Sequence, residues 1–306
     1  MKWSLKEQQN SKSNINLLAA RLIQFKSLNL LTGVGFIIAI IVSTWTVSSL
    51  FIPGLHPEYL ALFSLIYTLL DAFFIEPEFE RRAACGAGLM EEFDTNLFGI
   101  EENPNFQKPC SAAMVSEWAE RIDQKGRSDL LNWHSEHLGH VPQEVAALIA
   151  QYSSTAYDHS LRLLYSRMLT WFLIILSAGA LAMVFYANMP IQDTVVRIFV
   201  PLLPIAVWAA RNRAKTLGLI ADQAQALRLM DQQWKLVASG RLAGNKLRSV
   251  VRDNQDAVYR RRTNSVLIFP LIYKALRSRL EASTTRRAED YVSDYLGRQG
   301  ARGREQ

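Results

Sequence analysis

The sequence predicts an all-α membrane protein: four transmembrane helices arranged as two hairpins, with a helical cytoplasmic domain built on continuations of the spans. Three observations predict it. Four apolar stretches occur as two close pairs, the link inside each pair carries no Lys or Arg, and helical periodicity runs on through the membrane boundary.

The first stretch, 30–52, is 23 residues without a charge. At roughly 1.5 Å per helical residue that is enough to cross a hydrocarbon core of about 30 Å. It starts too far into the chain for a signal peptide and is followed by Pro-Gly, not by a small-residue cleavage site. The second stretch, 59–75, is interrupted only by Asp71, and the third, 168–187, has no charge. The fourth, 194–210, contains Arg197, Pro201 and Pro204; its place opposite the third, across a six-residue link, marks it as a span.

Basic residues orient the spans. Five Lys/Arg precede residue 30, Arg81 and Arg82 follow the second stretch, and Arg211, Arg213 and Lys215 follow the fourth. The links at 53–58 and 188–193 have none. Both termini and the long middle segment are therefore expected in the cytoplasm, with two tight turns outside. Cys85 and Cys110 both fall in the cytoplasmic part, where thiols stay reduced, so neither a disulfide nor a metal site is expected from them.

Upstream of the first span, Leu18, Leu22, Phe25 and Leu28 recur at helical spacing. From Pro142 the chain reads as helix into the third span without a breaker, about 68 Å if continuous. After the fourth span, Leu217, Ile220, Ala224, Leu227, Met230, Trp234 and Val237 keep three-and-four spacing up to Gly240, a terminator. The expected organisation is a cytoplasmic amphipathic helix (1–29), a transmembrane hairpin (30–76), an acidic helical segment (77–166), a second hairpin (167–210), a basic helical tail (211–296) and a disordered C-terminus (297–306). Net charge is +4 over 1–29, −7 over 77–166 and +11 over 211–306. Either the acidic middle and the basic tail dock on each other, or the tail binds an anion such as a lipid headgroup or a nucleotide.

Within the membrane, Asp71 and Arg197 are predicted on opposite sides of the bilayer, too far apart to pair in one subunit. Ser64, Thr68 and Asp71, at i, i+4 and i+7 with Tyr67 beside them, form one polar stripe on the second span. Such a stripe lines a water path or bonds to neighbouring helices. Four helices enclose too little space for a wide channel, so a pore needs a homo-oligomer. No enzyme is expected: there is no phosphate-binding glycine loop, nucleophile elbow or zincin motif. His134, His137 and His140 read as a solvated turn, because Gly139 and Pro142 break the helix that would align them on a metal. The acidic triplet Glu91, Glu92 and Asp94 has the charge to bind a cation, but reads first as a solvated face or helix end.

Segment 90–99, which runs MEEFDTNLFG, resembles the EEFDT..LG motif of the SMODS-associated four-transmembrane effectors through Glu91, Glu92, Phe93 and Asp94. A second matching segment carries Gln151, Asp158, Arg162 and Tyr165 into the third span. A third, around Pro270, Tyr273 and Lys274, is looser, since Leu271 and Ile272 stand where the family has an Asp-aromatic pair. The resemblance covers most of the chain in order. It implies an antiphage effector of the bacterial inner membrane, activated by a cyclic oligonucleotide from a cognate nucleotidyltransferase and permeabilising the bilayer as an oligomeric pore. No cofactor and no DNA or RNA polymer is expected. The alternative is a membrane-anchored scaffold that recruits a cytoplasmic partner without ion flux.

A cyclic nucleotide needs cations for its phosphates and aromatic faces for its bases. The tail offers Tyr259, Arg260, Arg261 and Arg262, then Tyr273, Lys274 and Arg277. Asp158 and Arg162, four residues apart, are expected to form a helix pair.

Overall fold

A computed structural model describes residues 3–49, 52, 57–106, 110–188, 190–268 and 270–305. The described residues form helices and no strand: α1 Leu5–Gln9, α2 Lys12–Ser49, α3 Pro57–Leu70, a π turn Asp71–Ile75, and α4 Glu76–Phe98. Then come α5 Ala112–Glu120, α6 Gln124–Ser128, a 3-10 turn Glu136–His140, α7 Gln143–Ala187 and α8 Ile191–Thr194. A second π turn, Val195–Phe199, leads into α9 Val200–Ala238, α10 Gly244–Thr263 and α11 Pro270–Glu305.

Three helical stretches, Lys12–Val42, Gln143–Tyr186 and Ile191–Ala238, are long and apolar enough to cross a membrane. Their most apolar windows turn outward: only 12% of the first and 11% of the second is buried inside the molecule. Large side chains such as Ile37, Trp171, Ile175 and Phe185 are exposed there, as in a protein solvated by lipid. The second apolar stretch of the sequence is α3 with its π turn, which continue into α4 without a break. The link at 53–56 lies outside the described residues. The other link turns at Asn188, whose left-handed φ of 44° ends α7.

Helical continuity across the boundary holds in all three places where periodicity predicts it. α2 begins 18 residues before position 30, α7 is 45 residues long, and α9 runs to Ala238, two residues before the left-handed Gly240. The halves of these helices outside the most apolar windows make the main core. Leu17, Leu18, Ala19 and Ala20 of α2 pack with Phe93 and Leu97 of α4 and with Ala146, Leu148 and Ile149 of α7; Val251 of α10 belongs to the same cluster. Ala19, Ala20 and Ala146 are fully buried, which lets backbones approach closely. α11 covers this core with Ala288 and Val292.

Three expectations change. Cys85 and Cys110, expected to be separate thiols, are bonded to each other with Cα atoms 6.2 Å apart. Packing of both α4 and α5 on α2 brings them together, a proximity that their 25-residue separation does not reveal. Residues 297–305, predicted disordered from composition, continue α11, propagated from the packed turns at Ala288, Val292 and Tyr295. His134, predicted solvated, is largely buried, stacked on Phe93 and edge-on to Phe98. Phe93 is fully buried at the centre of the core. Phe93→Ala is expected to cost about 3–5 kcal/mol, read as a lowered unfolding midpoint of the protein in detergent micelles.

Candidate functional site

Two sites emerge, a buried polar seam and a cleft, and they share one segment of chain. The seam joins the acidic α4 to the basic α10. Glu91 accepts from Arg252 at 2.6 Å and from Gln255 at 2.8 Å, and Asp94 accepts from Arg262 at 2.6 Å. Gln151 of α7 donates to the Val251 carbonyl and to Gln255, both at 3.0 Å. Glu91 and Asp94, three residues apart, share a face of α4, and Arg252, Gln255 and Arg262 repeat at helical spacing along α10. Further pairs, Arg248 with Glu144 and His137 with Glu289, extend the contact. Docking of the acidic middle on the basic tail is thus the reading the structure bears out.

The seam shifts its two carboxyls oppositely. Burial alone would raise Asp94, but the Arg262 guanidinium and His134 outweigh it and hold the carboxyl down at about 2. At Glu91 burial prevails over Arg252 and Gln255, and the carboxyl is raised. The solvated acidic face expected for Glu91 and Asp94 is therefore corrected: α10 covers it. Glu92 turns aside, lining with Glu102 and Tyr259 a hollow of about 40 Å³, which suits a water rather than a base.

The second motif segment grips the chain just past α10. Arg162 is anchored to Asp158 at 2.7 Å as the expected helix pair, but its other nitrogens donate to Ser265 Oγ at 2.5 Å and to the Val266 carbonyl at 3.4 Å. Asp158 also accepts from Gln223 of α9. Tyr165 is fully buried against Leu169, Ala209 and Val266. The stretch 260–267 is accordingly a strap, tied at one end to Asp94 and at the other to Arg162.

That strap forms one wall of a cleft of about 620 Å³, within the ~300–1,000 Å³ typical of small-molecule sites. Thr32, Gly35 and Phe36 of α2 line its inner end with Tyr67, Thr68 and Asp71; Trp208, Arg211 and Lys215 of α9 form another side. Gly35 leaves room for the Tyr67 hydroxyl oxygen there: a Cβ would sit 2.6 Å from it and displace the end of that side chain. Three of the four stripe residues face the cleft. Ser64 does not: it is fully buried elsewhere, and its carbonyl accepts from the Thr68 hydroxyl.

Of the predicted cationic set, Arg260 and Arg261 line the cleft. Arg262 is consumed by Asp94, and Tyr259 stacks on Phe106 at 4.2 Å on the far side of α10. Successive helical residues point about 100° apart, so four consecutive positions cannot share a wall. Tyr273 is half-buried on α11, away from the cleft lining. Pro270 opens α11; the side chains of Pro270, Lys274 and Arg277 lie outside the described residues.

Sequence reasoning missed the partner of Asp71. Arg211 donates to Asp71 at 3.1 Å and to Glu76 at 3.4 Å, and Lys215 to Glu76 at 2.5 Å and to Glu80 at 3.1 Å. The π turn explains the register: its i to i+5 repeat puts Asp71 and Glu76 on one face, where an α-helix would separate them. Basic residues one helical turn apart at 211 and 215 were the available signal.

Asp94→Asn is expected to cost on the order of 2 kcal/mol or more at pH 7, because it removes the neutralising partner of a buried cation. The folded carboxyl lies below its unfolded value of about 3.9, so its contribution is full above that pH and is lost as pH falls through about 2. Unfolding midpoints against pH should show this acid sensitivity in the parent protein and a flatter profile in the variant.

The model of the SMODS-associating 4TM effector domain matches residues 4–291. No curated protein and no solved structure matches the chain. A match over nearly the entire length, on a helical chain with membrane-spanning candidates and both motif segments holding one strap, places this protein in the SMODS-associating 4TM effector family.

Proposed function

We propose that the protein is the membrane output of a SMODS cyclic-oligonucleotide system: the nucleotide binds on the cytoplasmic side, and a homo-oligomer of the chain then permeabilises the bacterial inner membrane. The observation that carries this reading is the cleft, which touches both the polar stripe of α3 and the cationic strap. A ligand held by the strap would thereby act on residues at the inner end of the spans.

The topology in this proposal is two hairpins with both termini cytoplasmic. Residues 57–75 supply the second span, 19 residues or about 28 Å of helix, close to the hydrocarbon thickness. Leu31–Phe36 of the first span, Asp71 of the second and Trp208 of the fourth then share the cytoplasmic leaflet, which agrees with their meeting in one cleft. Two π turns and Pro204 interrupt regular hydrogen bonding in the second and fourth spans, and such interruptions mark helices able to change register. α7 throughout, and α9 beyond Pro204, carry displacement without a joint between cytoplasm and membrane. Opening requires the ligand to prefer the open arrangement, since equal affinity for both shifts nothing.

Proteoliposomes holding the full chain should release a trapped dye on addition of cyclic di-, tri- or tetranucleotides from a complete panel. Failure of every member would sink the permeabilising reading; capture of a cytoplasmic partner without leakage would favour the scaffold. Asp71→Ala and Arg211→Ala are each expected to raise basal leakage several-fold, and the double variant should add little beyond either one. Additive effects would show that the pair does not act as a unit.

A further inference from the structure

We propose that the strap cleft is a phosphodiester site worked by anion exchange: the ligand's phosphates bind Arg261 and take Lys215 and Arg211 from the carboxylates that hold them. This deepens the function proposed above and rests on it for the cyclic oligonucleotide as the source of the phosphodiester.

Arg261 is the first ground. It lines the cleft, yet its Nη2 is shut off from solvent and has no hydrogen-bond partner among the described residues. A guanidinium nitrogen in that position costs free energy until an anion meets it. Its neighbour Arg262 is spent on Asp94, whereas among the described residues no carboxylate bonds Arg261: burial and the nearby Arg262 charge lower its pKa, outweighing the charges of Asp158 and Asp222, which act to raise it.

The arrangement of the other cations is the second. Lys215 and Arg211 sit on the same wall system, one helical turn apart, and are held across the cleft by Asp71, Glu76 and Glu80 of the α3–α4 rod. These bridges tie that rod to α9 at the inner end of the spans. A phosphate bearing a full negative charge competes for the same nitrogens, and guanidinium and ammonium groups bind phosphate oxygens with charge-assisted hydrogen bonds. Exchange releases the carboxylates and with them the tie between the two hairpins. Phe36, Tyr67, Phe79 and Trp208 add aromatic surface to the same lining, suited to the bases of a nucleotide.

Neutralising the carboxylate side therefore has the opposite effect to removing Arg261. Three variants of the full chain in detergent micelles separate the possibilities: Arg261→Ala, the double variant Glu76→Gln with Glu80→Gln, and Arg121→Ala, an exposed arginine away from both the cleft and the seam as a charge control. Binding is measured in two arms, one with the panel of labelled cyclic di-, tri- and tetranucleotides and one with short-chain phosphatidylglycerol. Unfolding midpoints confirm that each variant is folded.

Arg261→Ala is expected to weaken binding at least tenfold, the double Gln variant to tighten it several-fold, and Arg121→Ala to leave it within twofold. Dependence on Arg261 in the nucleotide arm supports both the site and the proposed function; dependence in the lipid arm alone supports the site and counts against the nucleotide. Nucleotide binding that ignores all three variants overturns the site and leaves the function standing. Binding of no probe to the parent protein overturns both.

Discussion

Docking of a basic helix on buried carboxylates is the constraint on which the rest of this structure depends. Glu91 and Asp94 lie in a wall of α4 whose other residues, Phe93 and Leu97, are core. Left alone in that wall, each ionised carboxyl would cost several kcal/mol, so α10 must arrive with Arg252, Gln255 and Arg262 in register. A net charge of −7 over the middle segment and +11 over the tail is the long-range form of this match. Once α10 is seated, the position of the following strap is decided, and the strap closes the cleft.

Arg162 makes the same point from the other side. Its charge is compensated by Asp158 one turn away, which leaves two nitrogens to hold Ser265 and the Val266 carbonyl. The two motif segments thus converge on one short piece of backbone from α4 and from α7. Motif residues 68 positions apart in sequence, Asp94 and Arg162, act on a third segment about 100 residues further on.

The membrane side obeys a different balance. Apolar side chains of α2 and α7 face outward because hydrocarbon solvates them, and the few polar groups turn inward to the cleft or pair. Asp71 would be costly near the bilayer without Arg211, and the π turn gives Arg211 two acceptors. The cleft consequently has paired charges at its inner end and, on its strap, a guanidinium whose Nη2 has no hydrogen-bond partner among the described residues.

The sequence by itself determined the helical class, the apolar stretches and the continuity of α2, α7 and α9 across the membrane boundary. Those are local properties: hydropathy over some 20 residues and three-and-four spacing need no knowledge of what packs where. It also marked Glu91, Asp94, Gln151, Asp158 and Arg162 by resemblance, and Tyr67, Thr68 and Asp71 by stripe. Apart from the Asp158–Arg162 pair, which four-residue spacing predicts, only the tertiary structure decided what these residues touch. The partners of Asp94, Arg162 and Asp71 lie 168, 103 and 140 positions away, and neither spacing nor composition specifies such pairs. Arg262 differs from Arg260 and Arg261 for the same reason: identical side chains in a row acquire separate roles only when a packed helix turns one toward Asp94 and the others toward the cleft.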